Sequence, residues 1–285
     1  MSSKKFKFKD LGKLLKDTLK QLQMYNPFRL SAIVAYFAII SLPGLLVIVV
    51  QLVGYFFGEA DVEGEITERV TEAMGRGAAQ DIQDIIAHAA EGEDSTIANI
   101  FGIGTLIFGS TGVFFHLQKS LNQIWGVKPD PDLGLKKLII DRVFSLGMVL
   151  ANGFLLLVSL SLSSLLAVFS DWVLNNLPEI TLYLFYIINY LVSMVIVTLL
   201  FALIFKFLPD VVISWRVVWI GAIVTAILFL LSEIALSIYF ANVDVGSIYG
   251  SAGSMVVMML WITYSCLILF FGASFTYVYA QRYYE

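Results

Sequence analysis

The residues able to do chemistry in this chain are few and widely spaced. Glu233 stands inside an otherwise apolar run, Asp244 follows it, and Gly246 to Ser254 reads GSIYGSAGS ahead of a further run, Met255 to Ala280, that carries almost no charge. An ionised carboxylate at membrane depth is costly unless it faces a cavity or a partner, so Glu233 is a candidate either for a pathway through the protein or for a paired structural residue. Backbone polar groups at that depth must be paired within a helix or face a protein-lined cavity, which leaves the glycine-serine stretch as a plain surface turn or a re-entrant element. Tyr249, Gly250, Gly253 and Ser254 are its candidate residues. Asn152, Asn189 and Gln51 lie in other apolar runs and are candidates to share a polar cavity with Glu233.

Hydrolytic and redox chemistry find no footing. The sequence holds no Ser/His/Asp grouping, no HExxH, no phosphate-cradling glycine loop and no CxxC. Phosphodiester hydrolysis asks for clustered carboxylates around a metal, or for histidines as acid and base, and neither is expected on the cytoplasmic side. His88 and His116 are expected on opposite sides of the membrane, each without a second ligand nearby, and no metal or other cofactor is expected. Cys266, the single cysteine, sits within the last apolar run and reads as a small packing residue.

The elements that position these residues are membrane helices. With 59% hydrophobic and only 14% charged residues in 285, the chain lies far outside the balance of a soluble domain. About 20 apolar residues cross a bilayer core, and six runs are long enough: 30–57, 97–118, 142–169, 181–207, 215–240 and 255–280. The fold class expected is therefore all-α, a single polytopic membrane domain. The first run opens at Asn26-Pro27 and is expected to kink at Pro43-Gly44. The second is rich in glycine, which lets helices approach closely in lipid, and is expected to run on as an amphipathic helix through Gln118 and Asn122 to an interfacial Trp125.

Two polar segments flank the first run. Residues 1–27 set seven lysines against phenylalanines and leucines at helical spacing, which predicts an amphipathic helix flat on an anionic leaflet, or a solvated basic tail. They lack a short apolar core followed by a cleavage site, so no cleaved signal peptide is expected. Residues 59–96 are acidic, with Ile66, Val70, Met74, Ile82, Ile85 and Ile86 near helical spacing. They predict one amphipathic helix, or two broken near Gly75 and Gly77, outside the membrane and packed as a cap on it or serving as a docking surface for a cation or partner. The basic residues outside that loop fall on the side of the N-terminal lysines in the six-span arrangement, while Arg69 and Arg76 fall opposite, so both termini are expected in the cytoplasm. The basic tail has no stacking aromatics beside its charge, and no nucleic acid is expected as a partner. No internal repeat stands out.

The stretch FGSTGVFFHLQKSLNQIWGVKP from Phe108 to Pro129, with FSLGMVLANGFLLLVSLSLSS from Phe144 to Ser164, resembles the YihY/BrkB family of bacterial inner-membrane proteins, once described as ribonuclease BN. The resemblance continues through Ala35-Tyr36-Phe37, Phe207-Leu208-Pro209-Asp210, Trp215, Gly221-Ala222, Thr225-Ala226, Tyr249-Gly250, Gly253-Ser254, Trp261 and Gly272-Ala273, nearly the whole chain. Its family-motif residues here are Gln118, Asn122, Trp125, Pro209 and Asp210. Members often carry an acidic residue after the final Gly-Ala, where this chain has Ser274. The resemblance implies an inner-membrane location and leaves two functions open: a transporter or lipid-handling flippase of unknown substrate, in contact with membrane lipid, or a non-transporting scaffold whose acidic loop docks an envelope partner. A second copy of the chain is a further partner to consider.

Overall fold

The computed structural model describes residues 10–91, 112–127, 180–242 and 252–284. Among these residues the only regular structure is helical. In chain order the helices are α1 (Leu11–Gln23), α2 (Pro27–Phe57), α3 (Glu59–Met74), α4 (Arg76–Glu91), the stretch α5 (112–124), α6 (Ile180–Phe207), α7 (Trp215–Asn242) and α8 (Gly253–Tyr283). The expected run 142–169, and with it Asn152, Tyr249 and Gly250, lies outside the described residues, as do the side chains of Gln51 and Asn189.

Among the described residues three helices, α6, α7 and α8, are long and apolar enough to cross a membrane, and a fourth crossing is available if the bent pair Leu11–Gln23 and Pro27–Pro43, at 65°, counts as one span. The bend falls at Asn26, whose φ of 51° is tolerated by asparagine and is followed by the helix-opening Pro27. Pro43 lies inside α2, where the missing N–H removes a single backbone bond and the helix continues to Phe57.

α7 packs between α6 and α8, and α8 also packs on α2. The α7–α8 crossing is built from a pattern used twice, Gly221-Ala222 with Thr225 and Gly272-Ala273 with Thr276. A Cβ placed on Gly221 would collide with the Thr276 side chain, and one on Gly272 with Thr225, so each glycine receives the other helix's threonine and the two helices run antiparallel. Each threonine hydroxyl donates to the carbonyl four residues back, Thr225 to Gly221 and Thr276 to Gly272, both at 2.7 Å. The polar atoms are thereby satisfied within their own helices, and close van der Waals approach supplies the contact.

The N-terminal segment contains the helix α1, and part of its apolar stripe packs on protein while Leu11 and Leu19 stay exposed. Leu14, Thr18 and Leu22 are buried with Leu121 and Ile124 of α5 and Tyr279 and Tyr283 of α8 in the main core. Lys13, Lys16 and Lys20 stay exposed. Gln21 Nε2 donates to the Ile124 carbonyl at 3.3 Å, and Arg282 pairs with Asp17 at 3.6 Å.

Residues 59–91 form the hairpin α3–α4, turning at Gly75. Its apolar underside, Val62, Ala78, Ile82 and Ile86, packs on Leu46 and Val50 of α2 and Met258 of α8 in a cluster separate from the main core. Glu68, Arg69, Glu72, Arg76 and Asp84 of the hairpin are exposed.

Candidate functional site

The described side-chain hydrogen bonds that α7, α8 and the loop 208–214 make with other elements lie at the two ends of the α7–α8 pair. At the end where α7 begins and α8 finishes, the motif residues read from the sequence come together. Asn122 Nδ2 donates to Asp210 Oδ2 at 2.7 Å, Gln118 Nε2 donates to Oδ1 at 3.3 Å, and the Asp210 backbone N–H donates to Asn122 Oδ1 at 2.7 Å. Helical spacing puts Gln118 and Asn122 on one face of α5, four residues apart, so two amides reach one carboxylate. Pro209, buried, sets the preceding backbone, and Lys206 Nζ reaches over the same loop to the Ile213 carbonyl at 2.5 Å while lying 5.6 Å from the Trp215 ring centroid. Trp125 meets Tyr277 edge-on, centroids 5.4 Å apart, which ties the end of α5 to α8. With both carboxylate oxygens and the backbone N–H of Asp210 engaged, this end is a structural clamp on the loop 208–214.

The opposite end holds Glu233. It lies 18 residues into α7, about 27 Å from the helix start and about 14 Å from its finish at 1.5 Å per residue. Its half-buried carboxylate has Arg69 and Glu72 of α3 as charged neighbours, one of each sign. One turn further along, Ser237 Oγ donates to the Glu72 carbonyl at 3.1 Å. On α8, Ser254, the last residue of the glycine-serine stretch, donates a hydrogen bond to Asp81 Oδ2 of α4, and its neighbour Gly253 is buried. Two of the sequence candidates, Glu233 and Ser254, are thus both covered by the α3–α4 hairpin. No signal in the sequence pairs Asp81 with Ser254 or Glu72 with Ser237.

The charges divide between the two ends. Lys13, Lys16, Lys20, Arg29, Lys119, Lys206, Arg216 and Arg282 belong to elements at the clamp end, while Arg69 and Arg76 sit among Glu63, Glu68, Glu72, Asp81 and Asp84 in the hairpin. Among the described residues no group of three or more histidine, cysteine, aspartate or glutamate side chains could hold a metal.

Ser274 is wholly buried in α8, and its hydroxyl makes no hydrogen bond within the described structure.

A UPF0761 membrane protein of Delftia acidovorans is 29% identical to 61% of this chain, the match covering 40% of the relative. One of Psychromonas ingrahamii is 25% identical over 85% of this chain and 79% of the relative. The ribonuclease-like protein YfkH of Bacillus subtilis is 26% identical over 90% of this chain and 92% of the relative. The match spans less than half the length of the first of these relatives. No solved structure matches the chain. The family model for virulence factor BrkB matches residues 18–285, the clamp residues Gln118, Asn122 and Asp210 and the covered Glu233 all lie within that match, and the chain is a member of the BrkB family.

Proposed function

We propose that this protein is a multi-pass inner-membrane transporter or lipid-handling flippase whose pathway runs past Glu233 beneath the α3–α4 hairpin. The observation that supports it is Glu233 itself. A carboxylate in a membrane-length apolar helix, with a cation and a second carboxylate of another element beside it, is the kind of group retained for binding or relaying charge. The clamp end, with the N-terminal lysines, faces the cytoplasm, and the hairpin faces outward, in keeping with the division of basic residues. The pathway takes a solute or lipid with no cofactor. The scaffold reading is favoured by the exposed charged residues of the hairpin, Glu68, Arg76 and Asp84 among them, which would meet an envelope partner.

The test is reconstitution into vesicles, with lipid scrambling and solute flux measured for the native chain and for Glu233→Gln. Activity above empty vesicles that falls at least tenfold in the folded variant supports the pathway. No activity for any lipid or solute removes the transport reading in favour of the scaffold.

A further inference from the structure

The two faces of the α3–α4 hairpin are held by different kinds of contact. Against α2 the contact is apolar: Val62, Ile82 and Ile86 close on Leu46 and Val50. Against α7 and α8 it is mainly polar: Ser237 to the Glu72 carbonyl, Ser254 to Asp81, and Glu233 beside Arg69 and Glu72, with Met258 the one buried apolar residue that α8 contributes among those described. These contacts respond differently to water. Separating apolar surface costs free energy in proportion to area, whereas an exposed hydrogen bond is exchanged for bonds to water at a small net cost. The hairpin is therefore anchored on α2 and latched on α7 and α8.

The backbone has joints where such a motion needs them. Gly58, between α2 and α3, has φ 94° and ψ 132°, and Gly75, between α3 and α4, has φ 89° and ψ 171°. Both lie in regions that only glycine enters without strain, so each is a junction whose torsions are free of a Cβ. α3 is thus a rigid rod between two glycine joints. The hairpin's apolar cluster is separate from the main core, and lifting it from α7 and α8 leaves that core intact.

We propose that the α3–α4 hairpin is a lid that pivots at Gly58 and Gly75, anchored on α2 and closed by the Asp81–Ser254 and Glu72–Ser237 latches over Glu233 and the start of α8. What the lid covers rests on the pathway reading above; its opening does not.

The experiment uses the full chain in vesicles with Cys266→Ala and a reporter, Met258→Cys, beneath the hairpin, and a water-soluble maleimide on both sides of the membrane. Labelling then proceeds only as often as the lid opens. Ser254→Ala and Asp81→Ala each raise the labelling rate on the order of tenfold, the factor that losing a charge-assisted bond from the closed state corresponds to. The double variant goes no further than either single one, because both remove the same bond, and Ser254→Thr, which keeps the hydroxyl, keeps the slow rate. Native Cys266, buried in α8 away from the latch, is the control for general loosening, read with a membrane-permeant maleimide in the Ser254→Ala chain without the reporter. Unchanged reporter labelling in both single variants, multiplying effects in the double variant, or an equal rise at Cys266 each overturns the lid. A lid that opens on a chain moving no lipid or solute removes the transport reading alone, and flux with unchanged labelling removes the lid alone.

Discussion

Gly272→Ala is the sharpest structural perturbation available. The added Cβ collides with the Thr225 side chain, and ordinary contact requires the helices to part locally by roughly 1.5 Å. Neither side can yield cheaply: Ala222, Ala226 and Ala273 beside the crossing are wholly buried, and the Thr225 rotamer is held by its bond to Gly221. Overpacking of this kind costs about 1–3 kcal/mol. The antiparallel pairing predicts that Gly221→Ala, against Thr276, costs a similar amount. Thermal or steric-trap unfolding in detergent or bicelles measures it, and a double-mutant cycle assigns it: Thr225→Ala removes the atoms nearest the new methyl, so Gly272→Ala with Thr225→Ala recovers about 1 kcal/mol of the sum of the singles. Gly272→Ala as stable as the parent, or a strictly additive cycle, refutes the close crossing.

The clamp predicts that Asn122→Ala costs about 1–3 kcal/mol and speeds hydrogen exchange at 210–213, because it removes both bonds to Asp210, while Gln118→Ala, which removes one longer exposed bond, costs less. Leu14→Ala opens a cavity between α1, α5 and α8 and costs about 2–5 kcal/mol, whereas Lys13→Gln and Lys16→Gln leave unfolding unchanged; equal effects would return the apolar stripe to lipid. Arg282→Ala removes a partly exposed pair with Asp17 and changes stability by less than about 1 kcal/mol, read from the same unfolding curves in low and high salt.

The membrane helices are the most legible part of the fold, because a long apolar run needs no periodicity to be recognised: the runs read as 181–207, 215–240 and 255–280 are the helices α6, α7 and α8. Periodicity says that a face is buried without saying against what. Spacing alone leaves the leucine stripe of α1 to lipid or solvent, whereas Leu14 lies in the main core with Leu121 and Ile124, more than a hundred residues away in sequence, and Leu11 and Leu19 stay exposed. The acidic segment shows the same limit: its break at Gly75 was readable from the glycines, and the docking of Ile82 and Ile86 on α2 was not. Gln118, Asn122 and Asp210 were singled out by resemblance, yet their mutual bonds, across 88 and 92 residues, depend on how α5 and α6 pack. A repeated signal was available for the α7–α8 crossing, since Gly-Ala followed three residues later by Thr occurs at both 221–225 and 272–276.

Lipid scrambling and solute flux in reconstituted vesicles, native chain against Glu233→Gln, with folding checked by unfolding temperature, test the pathway past Glu233. A pathway past Glu233 gives native activity above empty vesicles and at least a tenfold loss in the variant at unchanged stability. Native activity that Glu233→Gln leaves intact contradicts it.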